Sequence, residues 1–284
     1  MFKFKNVSLI FVLVLITLQF PALAQKAQSH QLLNDKLKKS SFKKLIKSAQ
    51  KADVIFFGEM HDDPISHWLQ LKLIKALDEK NNLILGLEMF ERDNQSELDQ
   101  YLNDEIDLAT FEKEARLWNN YKTDYAPLIN YAREKGINVV ATNIPRRYAS
   151  MVYKQGFGAI ESLVAEEKAY IAPLPIEFDI DLPGYQKMLN MVEGHGGENF
   201  PKAQAIKDAT MAHSISENIK EGKIFFHANG RYHSDHKEGI IWYLRKYRPD
   251  LKILTITTIM EGEVPEKGVA DYIIMVDEDM IKTY

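Results

Sequence analysis

Apolar residues come in short unbroken runs, and four of these runs end in polar side chains: VIFFGEMH (54–61), LILGLEMF (83–90), INVVATNIPRR (137–147) and IFFHANGRYH (224–233). A run without alternation fits a strand buried on both faces, as in a parallel sheet covered by helices. KILTITTI (252–259) and YIIMV (272–276) extend the set. Helical patterns lie between the runs. Asp62 or Asp63 can cap a helix with Pro64 in its first turn and Ile65, Trp68, Leu69 and Leu73 as its apolar stripe. DYAPLINYAREKG (124–136) should stop at Gly136, and ISENIKEG (215–222) at Gly222. The alternation predicts an α/β fold, an open parallel sheet flanked by helices and joined by right-handed crossovers.

One long span breaks the alternation. From about 146 to 222 no strand is convincing, while RRYASMVYKQG (146–156), PGYQKMLNMVE (183–193) and FPKAQAIKDATMAHSISENIKEG (200–222) read as helices. This predicts a helical lobe inserted between the third and fourth strands, with YIAPLPIEFDIDLPG (170–184) as its irregular connector.

The first 24 residues stand apart. Lys3 and Lys5 precede an apolar run over 7–18, and FPALA ends in a small-x-small pattern. That is a signal peptide, 1–24, with cleavage after Ala24, leaving 25–284 as an exported domain of the periplasm or the medium. The 284 residues contain no Cys, so disulfides, thiolate metal sites and lipidation on cysteine are excluded. Net charge is −4 at pH 7, and more negative once Lys3 and Lys5 are removed, which argues against a nucleic-acid partner. The basic cluster at 36–47 has Phe42, Leu45 and Ile46 at helical intervals, so it reads as the solvated face of a helix.

In an open α/β sheet, ligands bind outside the carboxyl ends of the strands, where all four polar clusters fall. Glu59 and His61 are two apart and point to one side of an extended segment. Glu88 ends the second strand, Asn143 and Arg146 follow the third, and Asn229, Arg231 and His233 follow the fourth, with His67 in the helix after the first. Glu59, His61, Glu88, His233 and His67 suit a divalent metal such as Mn, Co or Zn, or a metal-bound water with a carboxylate as base. The same residues also suit a structural polar network. In the lobe, Tyr185, Met188, Met191 and His195 sit on or just past one helix. A tyrosinate with a nearby His would suit ferric iron, and the two Met residues equally suit ordinary core packing.

Five stretches taken in order, ADVIFFGEMHDDPISHWLQLKL, LGLEMFERDNQ, TNIPRRYASMVYKQG, AQAIKDATMAHSI and NGRYH, make the chain resemble the ChaN-like haem-binding family, a branch of the Tiki and erythromycin-esterase-like superfamily. The resemblance implies a parallel sheet with a helical lobe, a role in haem or iron acquisition at the bacterial envelope, and haem bound between two protomers of a homodimer. It further implies an iron held by a tyrosine, with a histidine and a lysine of the partner at the propionates. Tyr185 and His195 best fit that pattern and Tyr148 is a second tyrosine. The wider superfamily includes metal-dependent hydrolases whose Glu and His residues correspond to Glu59, His61, Glu88 and His233. Three readings therefore compete: an exported haem-binding protein serving iron uptake, a metal-dependent peptidase or esterase with the lobe as lid, and a protein whose polar edge is structural and which binds another protein of a transport system.

Overall fold

Strand β2 (Val54–Glu59) is buried at every position and sits at the centre of a seven-stranded sheet. Its neighbours are β5 (Ile224–Gly230) on one side and β6 (Ile253–Met260) on the other, both parallel to it. Outward from β5 lie β3 (Leu83–Glu91) and β4 (Asn138–Asn143); outward from β6 lie β7 (Tyr272–Val276) and an antiparallel β1 (His30–Asn34). The computed structural model describes residues 28–80, 82–191 and 197–284, so the expected leader (1–24) and His195 lie outside the described residues. Among the described residues no helix is long and apolar enough to cross a membrane.

The helices α1 (Phe42–Ala49), α2 (Pro64–Leu77), α3 (Gln95–Leu102), α4 (Leu108–Glu114) and α5 (Ala126–Lys135) cover one face. There Leu45, Leu69, Leu73, Leu98, Phe111 and Leu128 pack on Ile55, Phe57, Leu85 and Leu87. Between β4 and β5 come α6 (Arg146–Gln155), the single turns α7 (Gly158–Glu161) and α8 (Ala165–Lys168), then α9 (Pro183–Met191) and α10 (Asn199–Asn218). No described residue of that insertion is in a strand. With α11 (Ile240–Tyr247) these helices form the second layer. Ala205, Ala209 and Ala212 bring α10 close against Val54, Phe56, Ile84 and Phe225.

Crossovers from β2 to β3 and β4 lie on one face, and those returning to β5 and β6 on the other. The direction of winding therefore reverses at β2 and β5, the position where open α/β sheets form a crevice at the strand ends.

Local chemistry sets several boundaries. Asp63 caps α2 by accepting from the Ser66 N–H (2.6 Å), with Pro64 as first helical residue. The stripe of α2 departs from expectation. Trp68 is 48% exposed, because the inward face is taken by buried Ser66, His67 and Gln70 as well as Leu69 and Leu73. Gly136 ends α5 in the left-handed region (φ 64°). Helix α10 stops at Asn218, four residues before Gly222, which instead turns the chain at φ 73°.

Edge strand β4 is closed by a side chain. The Gln95 amide donates to Val139 O (2.9 Å) and accepts from Ala141 N–H (2.7 Å), filling the rung a further strand would use.

Candidate functional site

The carboxyl ends of β2, β5, β3 and β4 open into a cleft of about 890 Å³, within the range of about 300–1,000 Å³ usual for ligand pockets. Its floor carries His61, Glu88, Gly230 and His233. Its walls include Leu117, Trp118, Asn143, Ile144, Arg146, Lys207, Tyr232 and Tyr284.

The floor is built from two carboxylate–imidazole groups. In the first, buried Glu59 accepts from His61 Nδ1 (2.9 Å) and Tyr125 OH (2.7 Å) on one oxygen and from Gln70 on the other. His67 stands 3.6 Å from the same carboxylate and 3.5 Å from Asp124. A π-type turn at Tyr121–Tyr125 swings Asp124 and Tyr125 into this network. Burial raises the Glu59 pKa, but His67 and His61 outweigh it and hold the carboxyl below its ordinary value. For His61 burial pulls the other way, and Glu59 with Glu88 lifts the net value above the ordinary one.

In the second group Glu88 accepts from the Gly230 N–H (2.7 Å) and lies 3.2 Å from His233 Nε2. The other ring nitrogen of His233 donates to Asp208 (2.5 Å) on α10, and Asp208 accepts from Tyr185 OH (3.0 Å). Burial disfavours the imidazolium, yet the flanking Glu88 and Asp208 push its pKa up to about 10. Against its own burial, Glu88 is held far below the usual carboxylate range by His233. His233 should therefore show imidazolium ¹⁵N shifts on both ring nitrogens at neutral pH; a neutral tautomer there would refute the charge sandwich.

Two glycines make the arrangement possible. A Cβ on Gly230 would stand 2.7 Å from His61 Nε2, so the bare backbone of β5 lets that ring lie over it. A Cβ on Gly86 would stand 2.3 Å from the Phe225 ring and 2.9 Å from His227 Cδ2. His227, beneath the floor, bonds with Thr142 (2.9 Å) and Asn229 (3.0 Å), and burial pushes its pKa down to about 4.

The expected residues thus separate. Glu59, His61 and His67 meet in one group, Glu88 and His233 in the other, and the Gly230 backbone lies between them. The divalent centre expected from these five residues is not supported. Among the described residues no group of three or more His, Asp or Glu is placed to hold a metal, because each carboxylate is turned to an imidazole and further donors. Tyr185 is 3% exposed and stacks on Phe178, its hydroxyl committed to Asp208. Tyr148 is 1% exposed, between Arg147 and Glu167. Neither tyrosine lines the cleft.

Two tyrosines that do, Tyr232 (51% exposed) and Tyr284, were not singled out from the sequence. Nor were Asp208, Gln70 and Tyr125. For Asp208 there was a signal: an acid among the small residues of AQAIKDATMA, at a position where the helix faces the sheet. Arg231 turns away to Thr258 O and Glu263, with its guanidinium over the Tyr232 ring. On the rim Arg116 and Arg147 are paired with Asp93. Arg146 and Lys207 have no hydrogen-bond or ion-pair partner among the described residues. Asn143, 8% exposed, donates to Glu88 O and leaves Oδ1 unpartnered.

A mostly parallel sheet covered on both faces, with a charged crevice at its switch point, defines a ligand-binding α/β protein of the doubly wound class. The model of the family described as haem-binding uptake, Tiki superfamily, ChaN matches residues 45–244, and the chain belongs to that family. Among solved structures it is similar to ChaN of Campylobacter jejuni, described as binding haem cofacially. That match has a TM-score of 0.67 and 22% identity over 88% of this chain and 98% of the other, a likeness of fold. Erythromycin esterase EreC matches at a TM-score of 0.47 and 12% identity over 88% of this chain and 83% of the other, too distant to carry an argument. Of curated proteins, RETICULATA-RELATED 5 of Arabidopsis thaliana, a chloroplast protein, is 25% identical over 202 residues. The match covers 65% of this chain and only 27% of that longer protein.

Proposed function

We propose that this protein is an exported haem-binding protein of bacterial haem or iron acquisition, and that haem occupies the cleft at the strand ends. The observation that carries the reading is the cleft's mixed lining, in a member of a haem-binding family. Leu117 and Trp118 offer partly exposed apolar surface, while the side chains of Arg146 and Lys207 are two cations without partners among the described residues. Those residues fit a flat apolar ring that carries two carboxylates. Tyr232 is the half-exposed phenol in the cleft, its hydroxyl accepting a long bond from Arg231 (3.3 Å), and we assign it as the iron ligand in preference to Tyr185 and Tyr148, whose side chains are buried. Bound haem would supply a ferric iron able to take a phenolate oxygen. The chain's own part is to hold the carboxylates with Arg146 and Lys207 and to shield the ring with Trp118. Pairing of two protomers and delivery to an envelope transport system belong to the same proposal.

Hemin titration of residues 25–284, followed by absorbance, tests it. The expected result is saturable binding with a phenolate-to-iron charge-transfer band that Tyr232→Phe removes and Tyr185→Phe keeps. Absence of saturable binding would end the haem reading. Loss of the band in Tyr185→Phe alone would move the iron to α9.

A further inference from the structure

Residues 282–284 are tied to the site by more contacts than packing alone needs. The Thr283 N–H donates to Asp62 O (3.1 Å), and its hydroxyl donates to Asp124 Oδ2 (2.8 Å). Lys282 Nζ lies 3.5 Å from Asp62 and 3.8 Å from Asp63, the cap of α2. Asp124 is no surface acid: it is buried, accepts from Asn120 Nδ2 (2.6 Å) and faces His67. Asn120 Nδ2 in turn donates to the backbone oxygen of His61 (2.8 Å). A short polar path therefore runs from Thr283 through Asp124 and Asn120 to the residue at the cleft floor. The next side chain, Tyr284, lines the same cleft as His61, Trp118 and Asn120 while staying 69% exposed. An open aromatic side chain on a pinned backbone is the form a ligand contact takes.

We infer that residues 282–284 form a functional wall of the cleft, with Tyr284 contacting the planar ligand and Thr283 positioning His61 through Asp124 and Asn120. The inference rests on the haem reading of the cleft. Tyr284 and Tyr232 then divide the work: Tyr284, on a backbone held through Thr283 and Lys282, packs on the ring or donates a hydrogen bond. Iron binding falls to Tyr232.

Three full-chain variants test this with two readouts. The first is the His61 imidazole NMR signals of the ligand-free protein, and the second is hemin affinity and spectrum. Thr283→Val should shift the His61 signals and Thr283→Ser should restore them, because what differs is the hydroxyl, with its bond to Asp124 Oδ2 and its longer contact with Asp62 O (3.2 Å). Tyr284→Ala should leave the His61 signals in place and weaken hemin binding by roughly tenfold, with the charge-transfer band intact. Unchanged affinity in Tyr284→Ala overturns the wall, and unchanged His61 signals in Thr283→Val overturn the coupling. A wild-type chain that takes no hemin defeats the haem reading instead, and the NMR comparison still decides whether Thr283 positions His61.

Discussion

Glu88→Gln should lower the melting temperature on the order of 10 °C, measured by calorimetry at neutral pH. The substitution keeps the shape and removes one of the two charges that flank His233. Breaking a buried ion pair from one side costs about 3–5 kcal/mol, and each kcal/mol moves a domain of this size by about 2–4 °C. The pH dependence gives a sharper signature. The folded pKa of His233 is raised from 6.5 to about 10. Its contribution is thus complete below 6.5 and is lost as pH rises through about 10. For Glu88 the folded value is depressed, so its contribution is present above the ordinary carboxylate value and lost on acidification. Wild-type protein should lose stability on the alkaline side of neutrality, and Glu88→Gln should show a shallower loss there, since only Asp208 still favours the imidazolium. An alkaline limb that is the same in both proteins would show that Glu88 does not set the charge of His233.

Gly239→Ala should be at least as damaging. Gly239 has φ 54° and ψ −120°, and a Cβ there would stand 2.4 Å from the carbonyl oxygen of His233. A backbone atom cannot swing aside as a side chain can, so either α11 or the His233 turn must move. A cost of roughly 3 kcal/mol or more is expected from combining a left-handed backbone with a steric clash. Gly136→Ala is the milder reference: at φ 64° and ψ 31° it lies in the left-handed helical region that an L-residue can enter, and its Cβ would meet nothing within 4 Å, so about 1 kcal/mol is expected. Urea unfolding should show the larger loss in Gly239→Ala, where ψ −120° and the collision act together. Equal losses would mean that the chain around Gly239 relaxes freely.

The six parallel strands β2 to β7 were readable because each is a run of apolar residues buried over nearly its whole length, the pattern least ambiguous in a covered parallel sheet. Strand β1 was missed. HQLLN is short and lies at the edge, and Leu33 is its sole buried position, so its pattern carries no period. Trp68 was misjudged because His67 and Gln70, polar residues drawn inward by Glu59, together with buried Ser66, rotate α2 away from its most hydrophobic face. Half of the floor was readable in the same way: Glu59 with His61 from spacing, Glu88 and His233 from strand ends. Their partners were not. Tyr125 reaches Glu59 from 66 residues away and Asp208 reaches His233 from 25, each from a helix on a different face of the sheet. Packing decides such meetings, and no local pattern records them. Iron-ligand candidates inside the insertion were drawn from residue type, helical placement and the family resemblance, none of which records burial, and burial takes Tyr185 and Tyr148 out of the cleft.

The Gln95 amide on β4 limits how copies of the chain can meet. At the opposite edge residues 38–40 fold back on β1, where Ser40 N–H donates to Leu32 O (2.7 Å) and Asn34 N–H to Lys38 O (2.9 Å). Both margins of the sheet thus have rungs already occupied by the chain itself. An extended segment from another molecule would have to evict Gln95 before it could zip onto β4, which disfavours fibre-like stacking. Any contact between copies would then have to use the helical faces or the rim of the cleft, which leaves both sheets unextended.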